Sequence, residues 1–107
     1  MATVVHKDNY DTEVLQSGLP VLVDFWGPQC KPCLALMPAV EKIEKECADR
    51  VKVAKLNATE NRMLCAKLRV MALPTFLLYK DGVEVKRLVG DQIKESDLLN
   101  AINNVLP

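Results

Sequence analysis

The sequence has no excess of either charge, few glycines and a single histidine. Its 107 residues contain 14 Lys and Arg against 14 Asp and Glu, so the formal net charge is zero. A neutral chain has no long-range attraction for phosphate backbones or anionic lipid, which argues against nucleic acid as a partner. With four glycines and neither a repeat nor a Gly/Ser-rich linker, the chain is expected to form one domain over residues 1–107.

A long apolar run and a secretory leader are also missing. The longest apolar stretch, residues 18–26, is interrupted by Pro20 and Asp24 and is too short to cross a bilayer. The first residues lack a basic segment followed by an apolar one. We therefore expect no membrane association and a cytoplasmic location. In a reducing compartment the four cysteines are expected to serve chemistry, metal binding or core packing rather than a framework of structural disulfides.

Apolar periodicity predicts an α/β chain. Near-continuous apolar or β-branched runs predict four strands, at Val21–Trp26, 51–57, Thr75–Lys80 and Val83–Val89. Apolar residues at helical spacing predict helices at 10–15, 62–69 and 94–106, and a long helix after the cysteine-rich turn. Asp8 or Asn9 is expected to cap the first helix. The predicted element order is βαβαβαββα, which includes one further strand before the first helix, and it predicts a central mixed sheet with helices on both faces.

Cys30 and Cys33 form a C-x-x-C pair between a central strand and the long helix. A helix N-terminus offers free N–H groups and a positive dipole end to a thiolate, and Lys31 adds a cation. Cys30, the first and more exposed thiol, is the expected nucleophile, and Cys33 the thiol that resolves a mixed disulfide. The chemistry predicted from these residues is thiol-disulfide exchange.

A zinc site is the alternative interpretation of the pair. Cys47 and Cys65 would have to complete it, but they are 18 residues apart, fall on two separate helices and form no second C-x-x-C. Each continues an apolar helical face, so each is expected to be a small core residue, with a regulatory thiol left open. His6, the sole histidine, has no evident partner for a Cys-His hydrolase.

Asp24 is unusual because it interrupts an apolar strand. Burial there would raise the pKa of its carboxyl and destabilise the fold unless the group has a partner, and this cost suggests that the group is used. It precedes the cysteine turn, so it is expected to carry a proton to and from Cys33, with Lys55 on the neighbouring strand as its charge partner. The alternative is an Asp at the strand end that reaches solvent. For Pro74, both a cis bond in a tight turn and a trans bond opening a strand remain open.

Several ordered landmarks resemble the thioredoxin family over essentially the whole chain. They are the segment Asp-Phe-Trp-Gly-Pro-Gln-Cys-Lys-Pro-Cys at residues 24–33, then Pro38, Leu73-Pro74-Thr75, Gly82 and Gly90. The resemblance implies a thioredoxin fold, a four- or five-stranded sheet flanked by four helices. It also implies a buried acid at Asp24, a lysine at Lys55, a nucleophile at Cys30, a resolving Cys33 and a cis-Pro74 beside the disulfide.

The resemblance further implies a reductase of protein disulfides. Its redox group would be the Cys30–Cys33 disulfide, with no other cofactor and no metal. Its partners would be disulfide-containing proteins and a recycling thioredoxin reductase that uses flavin, and the chain would act as a monomer. The residues expected to face the substrate are Trp26, Gln29, Lys31, Pro32, Leu73, Pro74, Gly90 and Asp91.

The active-site turn departs from the usual Trp-Cys-Gly-Pro-Cys of the family. Gln29 replaces the flat apolar platform before the nucleophile, and Lys31 places a charge where substrates approach. Ala72 stands where the family often has Gly, and Asp91 where a small apolar residue is common. These differences predict a specialised member with its own reductase or targets. A thioredoxin-fold binding or scaffold subunit and a glutaredoxin-like reductase are the alternatives.

Overall fold

A five-stranded mixed sheet forms the centre of the protein, whose computed structural model describes residues 2–106. Its strands run in the order β1-β3-β2-β4-β5. β2 is parallel to β3 and antiparallel to β4, β3 is also parallel to β1, and β4 is antiparallel to β5. The strand bounds are Thr3–Val4 for β1, Val21–Trp26 for β2, Lys52–Asn57 for β3, Thr75–Lys80 for β4 and Val83–Val89 for β5.

Helices connect the strands and cover both faces of the sheet. They are a π-helix at Asp11–Leu15, α1 at Lys31–Glu46, a 3-10 helix at Ala58–Glu60, α2 at Arg62–Lys67 and α3 at Glu95–Val105. The predicted α/β class and element order are confirmed. The predicted bounds of β2, β4 and β5 are those observed. β3, α2 and α3 are shorter than predicted by one or two residues at an end, for α2 because Arg69 takes a left-handed φ of 59°.

The expected cap of the first helix is wrong. This segment is a π-helix, and Tyr10 at its N-cap position makes no side-chain capping hydrogen bond. Oδ1 of Asn9 accepts a 2.7 Å hydrogen bond from the N–H of His6. The N–H of Asp8 likewise turns back to Nδ1 of His6, 3.2 Å away. Asp8 and Asn9 therefore form hydrogen bonds with His6, which precedes them, and the side chain of neither residue caps the helix that follows.

The sheet separates two apolar cores. Alternate residues of β2 point to opposite faces, so Val23 and Leu22 belong to different cores. The first core contains Cys65 of α2, and the second contains Cys47, which follows α1. Both are buried, as predicted from their helical faces. Because they lie on opposite sides of the sheet, they do not form one site with Cys30, so the four-cysteine zinc site has no geometric basis.

Within residues 2–106, no helix has the length and apolar character that crossing a bilayer requires. Among the same residues, no three His, Cys, Asp or Glu side chains are grouped as the ligands of a metal ion would be.

Candidate active site

The turn that carries the two neighbouring cysteines joins β2 to α1. β2 ends at Trp26, and the N–H of Cys30 donates a 3.1 Å hydrogen bond to the carbonyl oxygen of Gly27. Cys30 has an extended backbone and is the N-cap residue of α1. Pro32 lies in the first helical turn, where its missing N–H removes no helical hydrogen bond. The turn therefore places both sulfurs at the positive end of a 16-residue helix.

A disulfide joins Cys30 to Cys33, and their Cα atoms are 5.2 Å apart. The backbone N–H of Cys33 donates a 3.2 Å hydrogen bond to Sγ of Cys30. Cys30 is partly exposed, whereas only 2% of Cys33 is exposed. An incoming disulfide can therefore reach Cys30 more readily than Cys33. When the pair is reduced, the same N–H and the helix dipole stabilise negative charge on Cys30.

Asp24 is buried on the face of β2 that α1 covers. It is 2% exposed and shares that face with Leu22, which packs in one core with Val40 and Ile43 of α1. The alternative of an Asp that reaches solvent is therefore wrong. Desolvation raises the pKa of Asp24 to about 7, and the charge of Lys55 opposes that rise. Both forms of the carboxyl are populated near neutral pH, as a group that takes up and returns a proton requires.

Lys55 lies beside Asp24, because the two residues are partners in the parallel register of β2 and β3. The side chain of Lys55 also lines an open groove of about 810 Å³ between α1 and the sheet edge formed by β1 and β3. Its charge thus acts on a buried carboxyl from a position in contact with a solvent-accessible groove. The predicted neighbourhood of the acid and the lysine is present in the structure.

The Leu73–Pro74 peptide bond is cis, as the resemblance implied. Pro74 is buried, and its carbonyl oxygen accepts a 3.0 Å hydrogen bond from the N–H of Gly90. Thr75, the next residue, pairs with Phe25 of β2 and donates from Oγ1 to the carbonyl oxygen of Ala72 at 2.6 Å. These contacts bring the loops at residues 72–74 and 90–91 to the end of β2 where the disulfide turn begins.

Gly27 provides a direct contact between the disulfide turn and the cis-proline loop. A Cβ added to Gly27 would lie 3.2 Å from Cδ1 of Leu73 and 3.6 Å from Cγ2 of Thr59. The absence of a side chain at this position therefore lets Leu73 pack against the turn. Sequence reasoning had noted Gly27 only as part of the motif, and the contact joins residues too far apart in sequence for a local pattern to indicate it.

The remaining residues expected at the substrate-facing rim differ in accessibility. Gln29, Lys31 and Asp91 are exposed, and Trp26, Pro32 and Gly90 are partly buried. Gly90 has a φ of 111°, in the left-handed region that favours glycine, and the Gln92 side chain occupies the space a Cβ would need there. Nε2 of Gln92 donates a 2.9 Å hydrogen bond to the carbonyl oxygen of Val89, a contact that sequence reasoning missed.

Comparison with known proteins finds similar chains along nearly the whole length of this one. The thioredoxin family model matches residues 1–104. Thioredoxin 1 of Synechococcus elongatus is 37% identical over 106 residues, covering 99% of this chain and 98% of its own. A thioredoxin of Rickettsia bellii is 42% identical over 104 residues, covering 97% and 98%, and one of Mycobacterium bovis is 41% identical over 107 residues, covering 99% and 91%.

Proposed function

Since this chain belongs to the thioredoxin family and is a thiol-disulfide oxidoreductase that reduces protein disulfides, we propose that Cys30 is its nucleophile and Cys33 its resolving thiol. The observation that carries this assignment is the asymmetry of the pair. Cys30 is the more accessible sulfur and receives the N–H of the helix N-terminus, whereas Cys33 is buried. A thiolate is therefore stabilised where a substrate can meet it.

The reaction proceeds in two exchanges. The Cys30 thiolate attacks one sulfur of the substrate disulfide, forming a mixed disulfide and expelling the first substrate thiolate. Cys33 then gives up its proton, and its thiolate attacks Sγ of Cys30, which expels the second substrate thiolate. The Cys30–Cys33 disulfide forms, and the substrate has gained two electrons.

Asp24 is the group we assign to take the proton from Cys33. Its burial keeps the carboxyl in both protonation states near neutral pH, and it lies beneath the helix that carries the resolving thiol. Lys55 tunes this acid because its positive charge favours the carboxylate form. In this proposal Asp24 carries the proton, and Lys55 lowers the pKa of Asp24 and so sets the pH range in which the transfer occurs.

Substrate recognition is proposed to occur on the rim around Cys30. It uses the disulfide turn on one side and the two loops that approach it on the other. The residues assigned to this surface are Trp26, Gln29, Lys31, Pro32, Leu73, Pro74, Gly90 and Asp91. With an amide at Gln29 and an ammonium at Lys31, the surface favours partners whose contact residues are polar or acidic, so the chain serves a specialised set of targets.

A recycling partner is needed because each turnover leaves the chain oxidised. Disulfide-containing proteins and a reductase are the partners that thioredoxins have in general. We assign that reductase to the flavin-dependent type, and we assign the chain a monomeric state in the cytoplasm, as one domain without nucleic acid or membrane partners. The Cys30–Cys33 pair itself is the redox group, and no added cofactor is assigned.

Trapping of a substrate tests the proposed roles. Cys33→Ser is expected to accumulate a mixed disulfide with a protein substrate, because the resolving thiol is gone, while Cys30→Ser is expected to be inactive and to trap nothing. Mass spectrometry of the adduct identifies the bonded cysteine. An adduct of the Cys33→Ser protein on Cys47 or Cys65, or trapping by Cys30→Ser through Cys33, would overturn the assignment.

A further inference from the structure

The loop at residues 68–74 is attached to the edge strand β5 at both ends. At its far end, the carbonyl oxygen of Pro74 accepts the N–H of Gly90, just after β5. At its near end, Arg87 of β5 donates to the carbonyl oxygens of Leu68 and Arg69. We infer that Arg87 is a positioning residue that holds this loop in place for recognition of protein substrates.

The Arg87 side chain makes four hydrogen bonds of its own. Nη1 donates to the carbonyl oxygen of Arg69 at 2.8 Å, and Nη2 donates to that of Leu68 at 2.9 Å. Nε and Nη2 also bind the two carboxylate oxygens of Glu84, at 2.8 and 2.9 Å. A planar guanidinium paired along one edge with a carboxylate is fixed in orientation, so its other donors are aimed at the two carbonyl oxygens.

The position of the contact within the chain explains its effect. α2 ends at Lys67, and the last carbonyl groups of a helix lack partners inside it. Arg69 then adopts a φ of 59°, and the chain turns toward Met71, which is 85% exposed. Arg87 fixes the start of this exposed segment as the Pro74 hydrogen bond fixes its end. The segment between them is thereby confined at both ends, although Met71 and Ala72 within it are exposed and only Val70 is buried.

The confined segment forms one wall of a groove of about 460 Å³ beside the disulfide turn. Met71, Ala72 and Leu73 line this wall, and Thr59 and Arg62 belong to the opposite side. A Cβ on Gly27 would lie 3.2 Å from Leu73 and 3.6 Å from Thr59, so these two lining residues place the groove next to the turn that carries Cys30.

Arg87 lines neither the groove nor the turn. Its effect is therefore expected on the binding of an extended polypeptide and not on attack by Cys30. This inference rests on the proposed function, in which Leu73 and Pro74 contact the substrate.

The test compares two substrates and two variants that each remove one cation from β5. Arg87→Met removes the contacts to the loop, whereas Lys86→Met, at the adjacent exposed position, removes a charge only. Each fully reduced protein is mixed with insulin as a protein disulfide and with 5,5′-dithiobis(2-nitrobenzoate) as a small one. Arg87→Met is expected to lower the second-order rate constant for insulin by about fivefold and to leave that for the small disulfide unchanged. Lys86→Met is expected to change neither.

Arg87→Lys is a second substitution of Arg87, and it retains the positive charge. A single ammonium cannot bind the carboxylate and both carbonyl oxygens in the same geometry, so the rate with insulin is expected to fall in this variant as well. An equal fall with both substrates, or a lower melting temperature without any change in the ratio of the two rates, would mean that Arg87 only stabilises the fold, and the inference would be overturned.

Leu73→Ala distinguishes failure of this inference from failure of the proposed function. If Leu73→Ala slows insulin reduction and the Arg87 variants do not, the recognition surface stands and the role of Arg87 is wrong. If Leu73→Ala leaves insulin reduction unchanged, the proposed surface is itself wrong and the inference fails with it.

Discussion

Asp24 and Lys55 are register partners on adjacent parallel strands, one buried and the other at the wall of an open groove. Burial outweighs the attraction of the lysine, so the pKa of Asp24 rises from 3.8 to about 7. The folded chain therefore holds this proton more tightly than the unfolded chain does. By linkage, the contribution of Asp24 to the free energy of unfolding falls as the pH rises through that interval and is constant above it.

Asp24→Asn is expected to stabilise the protein most at alkaline pH. The interval from 3.8 to about 7 corresponds to roughly 4 kcal/mol, which is the upper limit of the gain at pH 8. At pH 5 the gain is smaller, because Asp24 is already protonated in the folded protein. Urea unfolding at the two pH values measures the difference. An equal gain in stability at both pH values, or a loss at pH 8, would show that the negative charge of the Asp24 carboxylate does not destabilise the fold.

The same substitution is expected to slow release of the substrate. Without a carboxylate to accept the proton of Cys33, the second exchange should slow by about tenfold or more. In the unsubstituted protein that step should accelerate as the pH passes about 7, and the inflection should disappear in Asp24→Asn. Rapid-mixing kinetics of mixed-disulfide breakdown provide the measurement. Unchanged kinetics together with a large loss of stability would make Asp24 a structural residue only.

Lys55→Met is expected to move the inflection to higher pH. Removing the ammonium removes the interaction that lowers the pKa of Asp24, so a more alkaline solution is needed to form the carboxylate. Lys45→Met is the matched control, since Lys45 lines the same groove but is not the register partner of the acid. If both variants shift the pH profile equally, the effect comes from the overall charge rather than from the partnership with Asp24.

Lys31→Gln tests the distinctive cation of the active-site turn. Lys31 is exposed and follows Cys30 directly, so its charge should favour the thiolate and hence the reduced form. The variant is expected to be alkylated more slowly near pH 7 and to have a reduction potential more negative by at most about 20 mV. Alkylation rates against pH and equilibration with glutathione give the two values. If neither changes, Lys31 acts in partner recognition alone.

Gly27→Ala is expected to disturb recognition more than stability. Its new Cβ would lie 3.2 Å from Cδ1 of Leu73, which must shift by a few tenths of an ångström. Reduction of a protein disulfide should slow by about twofold to fivefold, with reduction of a small disulfide unchanged. Gly18→Ala is the control, because nothing lies within 4 Å of the added Cβ there. Equal rates for the two variants with a protein disulfide would contradict the role of the contact.

Short-range patterns were sufficient to predict most of the sheet. β4 and β5 have the predicted bounds because Asp81 and Gly82 form the turn between them, both with positive φ as a tight two-residue hairpin turn requires. β2 was recognised by its continuous apolar run, and Asp24 by its interruption of that run. In each case the signal lies within a few residues and depends on the local backbone or on burial of a single face.

Contacts between distant segments were beyond these patterns. Arg87 is a charged residue on an edge strand, which in sequence indicates a solvent-exposed side chain, yet it binds carbonyl groups 18 and 19 residues earlier. Likewise, nothing adjacent to Gly27 indicates that Leu73 packs against it. Such contacts depend on which loops the assembled sheet brings to the same edge, so they require the three-dimensional fold.

The separation of Cys47 from Cys65 by the sheet determines the electron stoichiometry of the chain. Each thiol is enclosed in its own core, so the native fold cannot join them in a second intramolecular bridge. An excess of a mild disulfide oxidant is therefore expected to form a single intramolecular disulfide, that of Cys30 and Cys33. The folded protein therefore carries two electrons per molecule. Cys47 and Cys65 cannot act together as a second dithiol that would reduce the active-site disulfide again.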